Sequence, residues 1–189
     1  ANVRTRTNNK VLYYENLGKE EYVAADGSNL AVVRNNKLDL TQYAYILKQM
    51  VPYDKEHTLM AMYGGAVIMR KRDLAFIDTI WRQRSLSALK AGDSLLIGTT
   101  AGLFIFKKIN GRYRTVDSVL LSSNITSIKQ TSNGQIWICT VEDGLYCIIN
   151  GKATWHFTKK NGLPSNNGRT LHTRVNEVWF GTDKGLVKI

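Results

Sequence analysis

The chain has 189 residues, 43% of them hydrophobic, and 26 Lys and Arg against 15 Asp and Glu give it a formal charge of +11. That length suffices for one sizeable domain with its own core, and no apolar run approaches the ~20 residues of a membrane-spanning helix. The first ten residues, with Arg4, Arg6 and Lys10, hold no apolar stretch of the signal-peptide kind, so the chain reads as cytoplasmic or as a piece from which targeting sequence has been removed.

Only two prolines occur, Thr, Val, Ile, Leu and Tyr are plentiful, and Gly, Asn or Asp interrupts the apolar segments every few residues. Short β-rich segments with such punctuation predict strands, not helices. In chain order, 11–15, 21–25, 29–34 and 38–43 predict a first four-stranded unit, with turns at 16–19, 26–28 and 35–36. Segments 45–50, 58–63, 66–70 and 74–80 predict a second, and 86–119 a third that turns at Asn110 and Gly111. The fourth is clearest: strands at 125–130, 135–140, 144–149 and 152–158, with turns at 131–134, 141–143 and Asn150-Gly151. Asn-Gly is a strong hairpin signal because both central residues of a type I′ turn need positive φ. The fifth, 169–189, has room for three strands.

The units are copies of one another. The segment LLIGTTAGLF at 95–104 recurs as IWICTVEDGLY at 136–146 and VWFGTDKGLV at 178–187, with a worn copy, LMAMYGGAVI, at 59–68. The second glycine falls at 65, 102, 144 and 185, in steps of 37, 42 and 41. Four strands per repeat at such a period predict an all-β chain, a β-propeller of four-stranded antiparallel blades. About five blades are expected, at 11–43, 45–80, 86–119, 124–158 and 169–189. A propeller must close or leave sheet edges open. Either the alternating segment 3–7 completes a five-bladed ring, or the chain is a piece of a larger one.

The stretch 160–166, NGLPSN after a lysine, followed by WFGTDKGL at 179–186, resembles the two-component regulator propeller repeat. The middle copy matches through NGQIWI at 133–138, with Cys139 in place of the usual glycine, and the one before it through LIGTTAGL at 96–103, with Leu96 in place of the tryptophan. The resemblance is specific over about 86–189 and rests on period alone before residue 80. It implies a seven-bladed propeller in the periplasmic sensor region of a hybrid two-component histidine kinase, of which this chain is a part. It further implies a non-enzymatic role in sensing an extracytoplasmic cue such as a glycan, and it favours the fragment over the closed ring. The motif residues Trp137, Trp179, Gly102, Gly144 and Gly185 read as core or turn positions.

Catalytic patterns are absent from the sequence. His57, His156 and His172 lack metal-ligand spacing, and no nucleophile elbow or P-loop occurs. The recurring carboxylates Glu142, Asp143 and Asp183 read as turn residues. No metal or cofactor is expected, and no nucleic acid, since Arg112-Tyr113-Arg114 is the only basic-aromatic match and falls on an outer strand. Cys139 and Cys147 share one hairpin, where a bridge would be strained, so free packed thiols are expected. Propeller ligands sit over the face built by turns between second and third strands and by the crossings between blades. There the candidate ligand-binding residues are Arg82, Arg84, Asn124, Glu142, Asp183, Lys184 and Arg169, suited to an oligosaccharide or other anionic ligand. Trp155 and Tyr113 are candidate stacking platforms, although core or edge packing suits them better. Neighbouring domains of the same sensor, or a second copy, would be the protein partners. A propeller scaffold for periplasmic assembly or secretion is the alternative, and a propeller-fold glycan-active enzyme the next.

Overall fold

In a computed structural model the described residues are 13–18, 21–35, 37–43, 45–119 and 123–189. They form two compact units, divided between Arg84 and Ser85. The first unit holds two four-stranded antiparallel sheets. Sheet one runs β1 (Tyr13–Gly18), β2 (Glu21–Ala25), β3 (Asn29–Arg34) and β4 (Lys37–Tyr43). Sheet two runs β5 (Leu47–Pro52), β6 (His57–Met62), β7 (Gly65–Arg70) and β8 (Phe76–Trp81). The second unit holds sheet three, β9 (Ser85–Ala91), β10 (Ser94–Thr99), β11 (Gly102–Ile109) and β12 (Arg112–Val119). Sheet four follows with β13 (Asn124–Gln130), β14 (Ile136–Val141), β15 (Leu145–Ile149) and β16 (Lys152–Phe157), and sheet five with β17 (Gly168–Arg174), β18 (Glu177–Thr182) and β19 (Gly185–Lys188). Every sheet is a meander of neighbours in sequence order, and β13 packs against both β9 and β17, as first strands do around a propeller axis.

Sheet four shows why the repeat is hydrophobic on both faces. Along β14, Ile136 and Ile138 join Leu96, Leu103 and Ile125 in the core shared with sheet three. Trp137 and Cys139 point the other way, into the core shared with Leu171, Val178 and Phe180 of sheet five. The two-residue period of a strand thus fills two cores at once. In the first unit, Val23, Leu30 and Val32 of sheet one meet Met60, Met62, Val67 and Met69 of sheet two in the same manner.

The turns follow the residues. Asn110 and Gly111 have φ of 49° and 77°, and Asn150 and Gly151 have 51° and 78°, the double positive φ of a type I′ hairpin. The glycine closing the turn between second and third strands is required for two reasons at Gly144. Its φ is +80°, and a Cβ there would lie 2.2 Å from the Phe157 carbonyl oxygen of the outer strand. The threonine opening that turn caps it: Thr99, Thr140 and Thr182 donate through Oγ1 to the carbonyls of Gly102, Gly144 and Gly185 at 2.9, 2.8 and 2.9 Å.

Several boundaries differ from expectation. Into the turn expected at 16–19, of which residue 19 lies outside the described residues, β1 continues as far as Gly18 through a bulge at Leu17. The segment 45–50 does not begin as strand: Ile46 has φ +44°, and β5 starts at Leu47, whose N–H donates to the Gly27 carbonyl at 2.6 Å. Leu74 likewise lies outside β8, with φ +59° and its side chain buried. After β16 a 3-10 turn, Lys159–Asn161, is capped by Thr158. Gly162 follows at φ +108°, and Leu163 plugs the core between sheets four and five. The NGLPSN motif is therefore a crossing whose leucine is an anchor. Trp137 is core, 2% exposed, with Trp155 and Phe157 at 6.0 and 6.1 Å between ring centroids. Trp179, expected as core, is only half-buried beneath Lys188, on the face of sheet five turned away from sheet four.

Candidate ligand-recognition face

The turn between second and third strands and the crossing into the first strand lie at the same end of each sheet, and backbone bonds tie them together. Tyr63 N–H donates to the Tyr45 carbonyl, Gly144 N–H to Asn166 and Asp183 N–H to Asn167, at 3.2, 2.9 and 3.2 Å. A second device repeats beside them. In β5, β9, β13 and β17 the register slips by one residue near the start of the strand, leaving Lys48, Leu86, Thr126 and Arg169 as bulge residues. A bulge re-aims its side chain out of the alternation. Two of these four residues are cations.

In the second unit the structure distributes the expected residues over two turns. Arg169 is the bulge residue of β17, and Asp183 and Lys184 form the turn between β18 and β19. Hydrogen bonds from Ser165 and Asn167 hold the Asp183 carboxyl below the usual aspartate range, and the Lys184 and Arg169 charges act in the same direction. Asn124 begins β13, opposite Val141, and is exposed. Glu142 is exposed in the β14–β15 turn at φ +74°. It belongs to a turn one residue longer than those at 99–102 and 182–185. The carboxylate that organises this turn is Asp143. It accepts from Ser123 Oγ at 3.2 Å and from the Tyr146 hydroxyl at 2.5 Å. His156 stacks on the Tyr146 ring at 3.9 Å and bonds the Asp143 carbonyl at 2.7 Å. Burial first, then Asp143, push the Tyr146 hydroxyl well above the usual tyrosine range. The sequence offers Ser123 only as a crossing residue and His156 only as an ordinary strand residue, and it does not show that they meet at Asp143 with Tyr146, because that meeting depends on the longer turn folding over the outer strand.

In the first unit Arg82 and Arg84 lie exposed after β8. Arg84 stacks on the Tyr63 ring, its guanidinium carbon 3.7 Å from the centroid, and Nη2 donates to the Tyr63 hydroxyl oxygen at 2.5 Å. The Lys48 ammonium sits 4.2 Å from the same centroid. Trp155, a candidate stacking platform, is 43% exposed but leans on Trp137. Tyr113 is half-buried on the outer strand β12 near Lys108, whose ammonium is 5.9 Å from its ring.

Three comparisons with known proteins bear on this architecture. Residues 119–142 match the family described as two component regulator propeller. No curated protein matches the chain. Among solved structures, it is similar to the extracellular domain assigned to the hybrid two component system BT3049 from B. thetaiotaomicron, with TM-score 0.75 and 18% identity over 97% of this chain and 27% of that one. PorZ, an essential surface component of the type-IX secretion system of Porphyromonas gingivalis, gives TM-score 0.58 and 12% identity over 95% and 38%. The β-propeller domain of Myceliophteria thermophila Cps50 (Swd1) gives TM-score 0.73 and 12% identity over 98% and 72%. The chain is thus made of β-propeller blades, and its residues 119–142 match the two component regulator propeller repeat. It spans about a quarter of the length of the extracellular domain from B. thetaiotaomicron.

Proposed function

We propose that the chain is a ligand-sensing segment of an extracytoplasmic two-component sensor, non-enzymatic in itself, that recognises a glycan. The observation that carries this reading is the two component regulator propeller repeat at 119–142, in a chain whose fold neighbours include extracellular sensor domains. Within each unit, polar and charged groups lie on the turns and crossings at the sheet ends, the kind of groups that saccharide hydroxyls and acidic substituents require. Bound ligand would bias the packing of the propeller against neighbouring domains of the sensor or a second copy, and kinase chemistry would reside elsewhere in the sensor.

Calorimetric titration with neutral and uronate-bearing oligosaccharides tests this. Binding of at least one class, weakened tenfold or more by Arg84→Ala or Lys184→Ala, is the expected result. Binding unchanged in both variants would sink the site, and no binding at millimolar saccharide would sink the glycan reading. The fold likeness to PorZ favours a second reading, a scaffold in surface assembly or secretion. Capture of a defined secretion component together with no saccharide binding would select it.

A further inference from the structure

The blades invite comparison position by position. The turn residue that follows the cap position is Tyr63 in sheet two and Asp183 in sheet five, as the pairings Met62 with Gly65 and Thr182 with Gly185 establish. The bulge residue is Lys48 in sheet two and Arg169 in sheet five. Sheet five therefore has a bulge cation and a turn carboxylate at the same end, and hydrogen bonds from Ser165 and Asn167, with the Lys184 and Arg169 charges after them, lower the pKa of that carboxylate. Sheet two keeps the cation but has a phenol where the carboxylate would be. It then adds a second cation, Arg84.

Among the described residues, neither Lys48 nor Arg84 is in an ion pair with a carboxylate. Asp26, in the corresponding turn of sheet one, accepts from Ser28 and Asn29 of its own turn. Two like charges held against one ring repel, and the ring's quadrupole offsets only part of that. The geometry also leaves donors to spare. Arg84 spends one N–H on the Tyr63 oxygen, and a guanidinium has five. Because that oxygen accepts from Arg84, the Tyr63 O–H is left as a donor. The Lys48 ammonium foremost, and the Arg84 charge after it, lower the Tyr63 hydroxyl's pKa, which strengthens that donor.

We propose that Lys48, Tyr63 and Arg84 form an anion subsite that takes a carboxylate or sulfate group of a small ligand, standing where sheet five has its own Asp183. Carboxylate and sulfate groups both present a pair of oxygens to a guanidinium with N–H groups to spare beside an ammonium, and Arg82, exposed two residues away, adds to the field. The class of ligand is thereby narrowed to acidic ones. The subsite rests on the reading that this face receives a ligand, although it binds a simple anion whether or not the ligand is a saccharide.

The test uses the whole chain with sodium sulfate and digalacturonate as probes, read by calorimetry and by the NMR signal of the Tyr63 ring carbon that bears the hydroxyl. The Tyr63 signal is expected to move with both probes, and its titration midpoint to rise as the anion neutralises the two cations. Lys48→Gln and Arg84→Gln should each weaken binding tenfold or more. Tyr63→Phe should keep the fold by circular dichroism and weaken binding less. Digalacturonate binding that is unchanged in the Lys48→Gln/Arg84→Gln double variant would overturn the subsite while leaving a ligand face elsewhere. Sulfate binding lost in that variant, with no saccharide bound by the wild type, would uphold the subsite and overturn the glycan reading. A Tyr63 signal unmoved by either probe at 50 mM would overturn the subsite.

Discussion

Cys139 occupies the position that is Gly98 in sheet three and Gly181 in sheet five, and its neighbour across the blade interface explains how it fits. A Cβ on Gly98 would lie 2.2 Å from Ser87 Oγ and 2.6 Å from Ile125 Cγ2 of the next blade. At the next interface the Ile125 position is taken by Gly168, where a Cβ would lie 2.4 Å from Cys139 Sγ. Small meets large at one interface and large meets small at the other. Gly98→Cys should therefore destabilise by about 2–3 kcal/mol through overpacking, and Gly98→Cys with Ile125→Gly should cost less than the two single changes summed. Urea unfolding of the four proteins measures this, and strict additivity would remove the compensation argument. The thiols are sealed in: Cys139 and Cys147 are both fully buried, and burial pushes each up to about 11 from 9.0. A raised folded-state value means a contribution that is whole below pH 9 and lost as pH rises towards 11. Both thiols should resist a disulfide reagent at pH 8 in the native protein and react together on unfolding.

At the scale of the turn, two glycines separate conformational need from steric need. Gly151 has φ +78° with nothing within 4 Å of an added Cβ, so Gly151→Ala should cost roughly 1 kcal/mol for the left-handed conformation alone. Gly144→Ala meets the Phe157 carbonyl as well and should cost roughly 3 kcal/mol. Thermal unfolding ranks the pair, and equal losses would contradict the geometry. Thr140→Val removes the Oγ1 bond to Gly144, but that carbonyl also accepts from Thr140 N–H at 3.0 Å, so the loss should stay near 1 kcal/mol. On the opposite end of sheet two, Arg70 draws Asp73 down to about 2 from 3.8 in the β7–β8 turn. A lowered carboxylate stabilises above about pH 4 and loses that contribution as pH falls through 2. The stability difference between wild type and Asp73→Asn should thus be constant from pH 5 to 7 and shrink in acid.

Taken whole, the chain carries +11 charges on blades whose interiors are apolar, so its long-range field is positive. Binding of an acidic ligand should weaken several-fold between 50 and 300 mM salt, while a neutral saccharide should show little change. Calorimetry at the two salt concentrations measures both. Not all of that charge is available to a ligand. In the first unit Lys71, buried, is bound to Glu15 at 2.5 Å and to the carbonyls of Asp54 and Lys55 at 3.0 and 3.3 Å. Arg34 is paired with Glu21 and Asp39, and Arg70 with Asp73 at 2.7 Å. The local cluster at 70–72, conspicuous in the sequence, is largely spent on structure, whereas Lys48, which no cluster announced, faces an aromatic ring.

The strand period, the Asn-Gly hairpins and the spacing of the turn glycines were legible in the sequence, because each rests on local sterics that repeat every blade. Arg84 and Asp183 were also legible, as turn and crossing residues of the repeat. Lys48 was not: only the register slip in β5 turns it towards Tyr63, and a bulge is a relation between two strands. Nor could residue order show that Cys139 is matched by Gly168, or that Lys48 and Arg84 meet over the Tyr63 ring. Those facts belong to contacts between segments that are distant along the chain, and close packing alone decides them.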